Sequence, residues 1–227
     1  MQTLAVLSRK GGTGKTTVAT HLACAAENAG RRTLLCDLDG QRSALEWRRE
    51  RREARPEVAE VKGGALFAAR QNAIRGGYDL MVLDTPPSAD GEAAEAVRFA
   101  DLCLIVVRPG FFDLRAVVRS VRLVTDMRKR GLFVLNQAPP RRNGEEPRLI
   151  QETLEALENL GLPVAPIGLR YRAAYQNAVR TGEAAQEATP DSLAAFEINA
   201  LWRHVQRELW PPFVEAGRLE PILAKAG

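Results

Sequence analysis

A glycine-rich loop with two lysines, close to the start of the chain, is the segment best suited to chemistry. Residues 9–17 read RKGGTGKTT, directly after a short apolar run. Three glycines let successive backbone N–H groups face a single anion, and a helix that begins near Lys15 adds its positive N-terminal end. The Lys15 ammonium can reach the β- and γ-phosphates of a nucleotide, and the Thr16 hydroxyl can bind Mg²⁺. The predicted phosphate-binding residues are Lys10, Gly11, Gly12, Thr13, Gly14, Lys15, Thr16 and Thr17.

Three aspartates that follow apolar runs could complete this site. Asp84 ends one run, and Asp37 and Asp39 lie two residues apart at the end of another. Phosphoryl transfer depends on positioning and charge neutralisation, and a carboxylate at a strand end can hold Mg²⁺ directly or through water. Since side chains alternate along a strand, Asp37 and Asp39 face the same side. One of this pair could orient the attacking water while the other supports the metal shell, and a purely structural role for Asp37 stays open.

Alternation of short apolar runs with longer helical stretches predicts the elements that would position these residues. Runs such as LMVL and LCLIVV are apolar throughout, which is typical of strands covered on both faces. The pattern predicts an α/β fold with a doubly wound, mainly parallel sheet and helices on both faces. The predicted strands are residues 3–8, 33–38, 79–84, 101–107, 132–137 and 164–169. The predicted helices are residues 15–29, 42–54, 64–74, 114–130, 148–160, 171–180 and 192–209.

Length and composition limit the class of protein. The chain has 227 residues, of which 45% are hydrophobic and 26% charged, and this composition excludes a disordered polymer, a collagen and a small disulfide scaffold. Residues 1–227 are expected to form a single domain, with C-terminal helices at about 171–209 packed on it and a short tail at 210–227. Cys24, Cys36 and Cys103 lie in apolar runs without CxxC spacing, which favours buried thiols and a cytoplasmic location.

The loop resembles the deviant Walker A motif of the ParA/MinD family of ATPases, because Arg9 replaces the first glycine of the ordinary motif and Lys10 supplies a second lysine. Residues 34–41 (LLCDLDGQ) resemble that family's second acidic motif, and residues 80–87 (LMVLDTPP) resemble its Walker B strand. Residues 168–175 (GLRYRAAY) resemble the segment after the last strand in short ParA proteins. The resemblance covers about residues 2–185. It implies a P-loop ATPase of the deviant Walker A type, with ATP and Mg²⁺ as cofactors.

The resemblance also implies roles for individual residues. Lys10 would cross the interface of an ATP-bound homodimer to touch the nucleotide of the other subunit, although it could instead serve the phosphates of its own subunit. Asp39 would orient the attacking water, and Asp37 and Asp84 would lie beside the metal. Asn136 would contact adenine, or would otherwise cap a loop.

A short ParA-type partition protein uses ATP to drive segregation or positioning, so the resemblance implies a plasmid, a chromosome or a protein assembly as cargo. The implied partners are non-specific DNA and a ParB-like or other adaptor that stimulates slow hydrolysis, and the ATP-bound protein would associate with the nucleoid. Gly40 stands where the family usually has proline, which bears on the hydrolysis rate. The candidate DNA contacts are Arg119, Arg122, Arg170 and Arg172. Such arginines could hold phosphates independently of DNA sequence, or could form ordinary solvated faces.

Two other functions stay open, and a third is excluded. A MinD-like protein would bind membranes through a C-terminal amphipathic helix, but residues 210–221 (WPPFVEAGRLEP) hold three prolines and two acids, so membrane binding is not expected. A weakly hydrolysing, ATP-gated DNA-binding accessory protein, for example in conjugative transfer, would carry the same motifs. An iron–sulfur carrier needs paired cysteine thiolates at a dimer axis, and these cysteines do not provide them.

Overall fold

The computed structural model describes residues 1–87, 90–141 and 143–211. Most of the predicted tail, residues 212–227, lies outside these residues, and so do residues 88, 89 and 142. Across the described ranges, no helix has the length and apolar character that crossing a bilayer requires.

Within the described residues, six strands form one sheet in which all neighbouring strands are parallel, in the order β3-β2-β4-β1-β5-β6. The strands are β1 (Gln2–Leu7), β2 (Thr33–Asp37), β3 (Glu57–Glu60), β4 (Leu80–Asp84), β5 (Leu102–Val107) and β6 (Gly131–Leu135). Because β4 lies between β1 and β2, the register places Asp84 opposite both Asp37 and Val6. The carboxyl ends of these three strands therefore meet at one edge of the sheet, where ligands bind in such folds.

Helices cover both faces of the sheet, as the continuous apolar runs predict. Leu4 and Val6 of β1 belong to one buried cluster and Ala5 and Leu7 to the other, because successive side chains point to opposite faces. The first cluster includes residues of α1, α2 and α9, and the second includes residues of α3 to α6. The doubly wound α/β prediction is confirmed. The helices are α1 (Lys15–Asn28), α2 (Ser43–Glu50), α3 (Leu66–Arg75), α4 (Asp90–Phe99), α5 (Phe111–Asp126), α6 (Arg148–Glu158), α7 (Ala173–Arg180), α8 (Ala185–Ala188) and α9 (Leu193–Leu209).

Two strand predictions differ from the structure. Residues 164–169 form no regular strand, and only single bridges join Val164 to Phe133 and Arg170 to Ala138. Pro163 and Pro166 lack the N–H groups that a ladder needs, which explains the interruption. The strand that the sequence did not predict is β3, whose residues EVAE are short, half-exposed and at the sheet edge. Its backbone pairs with β2 although its side chains show no apolar pattern.

Helix boundaries also differ from the sequence prediction. α2 ends at Glu50 rather than at residue 54, and α5 ends at Asp126, before the basic residues 128–130. α4 and α8 were not predicted. α4 packs through small apolar residues, including Ala93 and Ala96, and so lacks the strong apolar stripe by which amphipathic helices are recognised in a sequence.

The turn before α8 packs closely against the end of α2. The Arg51 guanidinium, whose side chain is 3% exposed, donates to the Gly182 carbonyl at 2.9 Å and pairs with Glu187 at 2.6 Å. Trp47 donates its indole N–H to the Glu183 carbonyl at 3.1 Å. Gly182 has φ +70°, and a Cβ there would overlap the backbone of Arg51. Only glycine fits at this contact between α2 and the C-terminal helices.

We expect Gly182→Ala to destabilise the protein more than an alanine placed at another left-handed glycine. Gly30, with φ +78° and open space around its Cβ position, is the matched control. Gly30→Ala should cost only the left-handed backbone penalty, about 1 to 2 kcal/mol, whereas Gly182→Ala should cost about 3 kcal/mol because of the added overlap. Urea denaturation of both variants measures the free energies of unfolding, and equal losses would contradict the close contact.

Candidate functional site

The glycine-rich loop connects β1 to α1 at the carboxyl edge of the sheet. Gly12 (φ 72°) and Gly14 (φ 88°) adopt left-handed backbone conformations that favour glycine. Gly14 directly precedes α1, so the first N–H groups of this helix open onto the loop. The Thr13 side chain is buried and donates to the Lys10 carbonyl at 3.3 Å. The structure therefore provides a loop and a helix N-terminus that are suited to an anion.

Lys15 is the first residue of α1 and lies almost wholly buried, with 7% of its surface exposed. Burial lowers the pKa of the Lys15 ammonium, and the negative charges of Asp84 and Asp39 act in the opposite direction. A buried cation next to a loop of N–H groups attracts a polyanion strongly, because the surroundings screen its charge poorly. This environment suits the phosphate-binding role that the motif predicts for Lys15.

Asp84, at the end of β4, is fully buried, and within the described residues neither of its carboxylate oxygens makes a hydrogen bond of ordinary geometry, although the Thr16 hydroxyl lies close by. Burial, reinforced by the charges of Asp37 and Asp39, raises the pKa of Asp84 to about 7, while the Thr16 hydroxyl and Lys15 act to lower it. An unpaired buried carboxylate is costly, and Mg²⁺ prefers oxygen ligands. Asp84 and Thr16 therefore fit a Mg²⁺ ion that a bound nucleotide would also coordinate.

Asp37 is buried at the end of β2, and three backbone N–H groups surround its carboxylate. One oxygen accepts from the Asp39 N–H at 3.0 Å, and the other accepts from Ala44 and Leu45 at 3.0 and 3.1 Å. These contacts anchor the first turn of α2 and act to lower the pKa of Asp37, although burial raises it on balance. This geometry matches the structural alternative for Asp37. Its coordination of Mg²⁺ stays a prediction.

Asp39 lies between β2 and α2 and is half-exposed. One of its carboxylate oxygens accepts from the Gln41 N–H at 2.9 Å, which turns the chain toward α2. No atom of the described residues would lie within 4 Å of a Cβ at Gly40, so these residues leave the turn next to Asp39 open on that side. A carboxylate that is reachable from solvent and close enough to Lys15 to raise its pKa can orient a water molecule at a bound phosphate. Its role in hydrolysis, like the role of half-exposed Lys10 across a dimer, stays a prediction.

Asn136 directly follows β6 and is buried at the phosphate loop. Its side-chain N–H donates to the Thr13 carbonyl at 2.7 Å, and the neighbouring Gln137 donates to the Gly12 carbonyl at 3.1 Å. A pocket opens beside this pair, bounded by Thr17, by residues 169–172 and by Tyr175. The position suits the predicted adenine contact of Asn136. The contact of Gln137 with the loop was not predicted, since the sequence marks this residue only by its position directly after Asn136.

The four predicted DNA-contact arginines fall into two pairs. Arg170 donates to the Pro139 carbonyl at 2.7 Å and pairs with Glu146, and Arg172 pairs with Glu197 at 2.6 Å. DNA binding by Arg170 or Arg172 stays a prediction, and it would require these ion pairs to break. Arg119 and Arg122 are exposed on α5, and no ion pair holds either of them within the described part of the chain.

The three cysteines are buried free thiols, as predicted. Burial raises the pKa of Cys36 and Cys103 to about 12, so these thiols stay protonated at neutral pH. Among the described residues, no group of three or more histidine, cysteine or acidic side chains could hold a metal ion by itself.

We expect Asp84→Asn to change how the stability of the nucleotide-free protein depends on pH. The pKa of Asp84 is higher in the folded state than its ordinary value, so the folded wild type binds a proton that the unfolded chain releases between about pH 4 and pH 7. Wild-type stability should fall as pH rises through this window, by at most about 1.4 kcal/mol per pH unit. The variant has no carboxyl group at position 84, so this part of the pH dependence of stability should be absent from it. Denaturation at a series of pH values tests it, and parallel profiles for the two proteins would contradict it.

Comparisons with known proteins identify the family to which this site belongs. The sequence model of the CobQ/CobB/MinD/ParA nucleotide binding domain matches residues 4–185. Two relatives are both described as maintenance of carboxysome distribution protein A. The one from Halothiobacillus neapolitanus is 31% identical over 216 residues, and the one from Gloeobacter kilaueensis is 33% identical over 212 residues. These matches cover 89% and 88% of this chain and 95% of each relative.

The solved structure of apo McdA from Cyanthece has the same fold. Its TM-score is 0.75 at 16% identity, and the match covers 92% of this chain and 99% of that one. The family match extends over most of the chain and includes the phosphate loop, Asp39 and Asp84. The chain therefore belongs to the CobQ/CobB/MinD/ParA family of nucleotide-binding proteins, as the resemblance of its motifs predicts.

Proposed function

We propose that the protein is a ParA-type ATPase that dimerises on binding ATP and uses this cycle to position a cargo. The observation that carries the proposal is the placement of buried Lys15 between the loop of N–H groups and the carboxylates of Asp84 and Asp39. This arrangement supplies the positioning and charge neutralisation on which phosphoryl transfer depends.

Each residue of the site would make a distinct contribution to hydrolysis. The loop N–H groups and Lys15 would bind the β- and γ-phosphates, and Thr16 and Asp84 would hold the metal. Mg²⁺, when bound, neutralises charge on the phosphate oxygens. Asp39 would orient the attacking water, since it is half-exposed beside Lys15. Asp37 would hold the first turn of α2, and thereby Asp39, in place through its three backbone hydrogen bonds.

Lys10 supports the dimerisation part of the proposal. It lies half-exposed in the loop that would hold the phosphates, and a second lysine there adds positive charge that a nucleotide-loaded partner subunit would neutralise. A ligand that binds the dimer better than the monomer shifts the population toward the dimer, and its hydrolysis reverses the shift. ATP would therefore join two subunits, and slow hydrolysis, stimulated by an adaptor protein, would separate them.

The cargo is proposed from the relatives. Two proteins named for the distribution of carboxysomes match this chain over 95% of their own length, which supports a large protein assembly as the cargo rather than a plasmid or a chromosome. The adaptor would then be a protein on that assembly, in the place that a ParB-like protein takes at a plasmid. The ATP-bound dimer would move over non-specific DNA in the cytoplasm, associated with the nucleoid.

We expect Asp39→Ala to bind ATP without turning it over, so that ATP and Mg²⁺ trap the variant as a dimer. The motivation is a half-exposed carboxylate close to Lys15 whose hydrogen bond goes to the Gln41 N–H in its own turn. Size-exclusion chromatography with ATP, together with an assay of phosphate release, measures both effects. Lys15→Ala is the control that should neither bind ATP nor dimerise. If Asp39→Ala stays monomeric under conditions in which the wild type dimerises, Asp39 is a structural residue.

We expect Arg119→Glu with Arg122→Glu to weaken binding of the ATP-bound protein to duplex DNA of any sequence. The plot of log affinity against log salt becomes shallower by about 0.9 for each phosphate contact that is lost. The slope of the double variant should therefore be shallower by about 2 for each subunit. Arg49→Glu with Arg52→Glu is the matched control, because these arginines are also exposed and three positions apart. Salt titrations of DNA binding compare the two variants.

Other outcomes of the same measurement identify a different surface. Equal salt slopes for the two double variants would contradict the proposed contact between α5 and DNA. Co-sedimentation with ATP measures binding to liposomes. Binding to liposomes in place of DNA would indicate a MinD-like protein that works on membranes. Binding to neither surface would indicate that the protein moves on a protein scaffold.

A further inference from the structure

Two consecutive side-chain amides after β6 hold two consecutive carbonyls of the phosphate loop. Asn136 donates to the Thr13 carbonyl at 2.7 Å, and Gln137 donates to the Gly12 carbonyl at 3.1 Å. Carbonyl oxygens accept only, so both side chains must present their NH₂ groups to the loop. The hydrogen bonds join residues that are more than 120 positions apart in the sequence.

These hydrogen bonds fix the direction of two N–H groups. The Gly12 carbonyl shares a peptide group with the Thr13 N–H, and the Thr13 carbonyl shares one with the Gly14 N–H. In a trans peptide the C=O and N–H bonds point in opposite directions. Since both carbonyls are held toward the end of β6, the Thr13 and Gly14 N–H groups face the other side of the loop. Within the described residues neither N–H has a partner, which leaves both available to an anion.

The segment that carries the two amides is itself held by backbone hydrogen bonds. The Asn136 backbone N–H donates to the Val107 carbonyl of β5 at 2.8 Å, and the Ala138 N–H donates to the Leu169 carbonyl at 3.0 Å. On the other side, a Cβ on Gly14 would overlap the Asn136 amide nitrogen, so the loop approaches as closely as glycine permits. The amides thus connect the loop to the end of β6, where backbone hydrogen bonds join the chain to β5 on one side and to the segment that contains Leu169 on the other.

We propose that Asn136 and Gln137 are positioning residues that keep the phosphate loop in its anion-binding conformation before any nucleotide arrives. This inference rests on the proposed nucleotide binding and deepens it. The residues after β6, which would lie beside the base, would also set the conformation of the loop that binds the phosphates. The contact of Asn136 with the loop requires no base. Its loss should therefore weaken binding of a phosphate chain that carries no base at all.

The first experiment compares ATP with inorganic tripolyphosphate, each with Mg²⁺, as competitors of a fluorescent ATP analogue. Gln137→Met keeps the length of the side chain but removes the donor, and Asn136→Ala removes the other donor. Loss of one such hydrogen bond should weaken binding of both competitors about five- to tenfold. Gln151→Met is the matched control, because Gln151 makes the same kind of hydrogen bond, to the Glu146 carbonyl at 3.1 Å, on α6.

Tripolyphosphate affinities that stay at the wild-type value, while ATP binds more weakly to Asn136→Ala, would overturn the inference and leave Asn136 as a base contact alone. Failure of the wild type to bind ATP would instead contradict the proposed function.

A second measurement needs no ligand. ¹⁵N relaxation of the nucleotide-free protein should show the Thr13 and Gly14 amides falling from the rigid range, with order parameters of about 0.85, toward the flexible range below about 0.6 in both variants. Gln151→Met should match the wild type. Unchanged order parameters in the loop would overturn the inference whether or not ATP binds.

Discussion

A carboxylate enclosed in a protein without a hydrogen-bond partner is costly, and Asp84 is such a group at the centre of this sheet. Its oxygens lie near a buried lysine and a threonine hydroxyl, which offset part of this cost, and a bound proton or a further cation would offset more of it. The strand β4 lies between β1, which leads into the loop, and β2, which ends at Asp37, so the sheet places Asp84 between these two segments. A metal–nucleotide complex bound at this edge would offset the cost of burying this carboxylate.

Most of the sheet could be predicted from the sequence because its strands are buried on both faces and therefore read as continuous apolar runs. The edge strand β3 could not, since its side chains are half-exposed and its stability comes from backbone pairing with β2. At residues 164–169 the sequence predicts a strand that the structure does not form, and backbone pairing again explains the difference. That segment is apolar enough for a strand, but its prolines cannot donate to a ladder, and it lies along β6 through single bridges.

For the site, the sequence predicted three residues that the structure brings together, because loop spacing and strand ends alone place Lys15, Thr16 and Asp84 at one edge of the sheet. It could not predict partners that are distant in the chain. Gln137 reaches the loop across 125 positions, and Arg170 and Arg172 find Glu146 and Glu197 across 24 and 25. A cluster of arginines in a sequence indicates positive charge, but whether that charge is available depends on which acids the fold brings beside it.

The helix α2 is held at both ends, and this has a mechanical consequence. Its first turn is bonded to Asp37, beside the turn that carries Asp39, and the residues after its last turn are clamped by Gly182 and Glu187. Eight residues of helix form a stiff rod about 12 Å long. A displacement of the turn before α8 would therefore bear on the Asp39 turn at the other end of α2. Through α2, the contact at Gly182 and Glu187 is thus connected to the turn that carries Asp39.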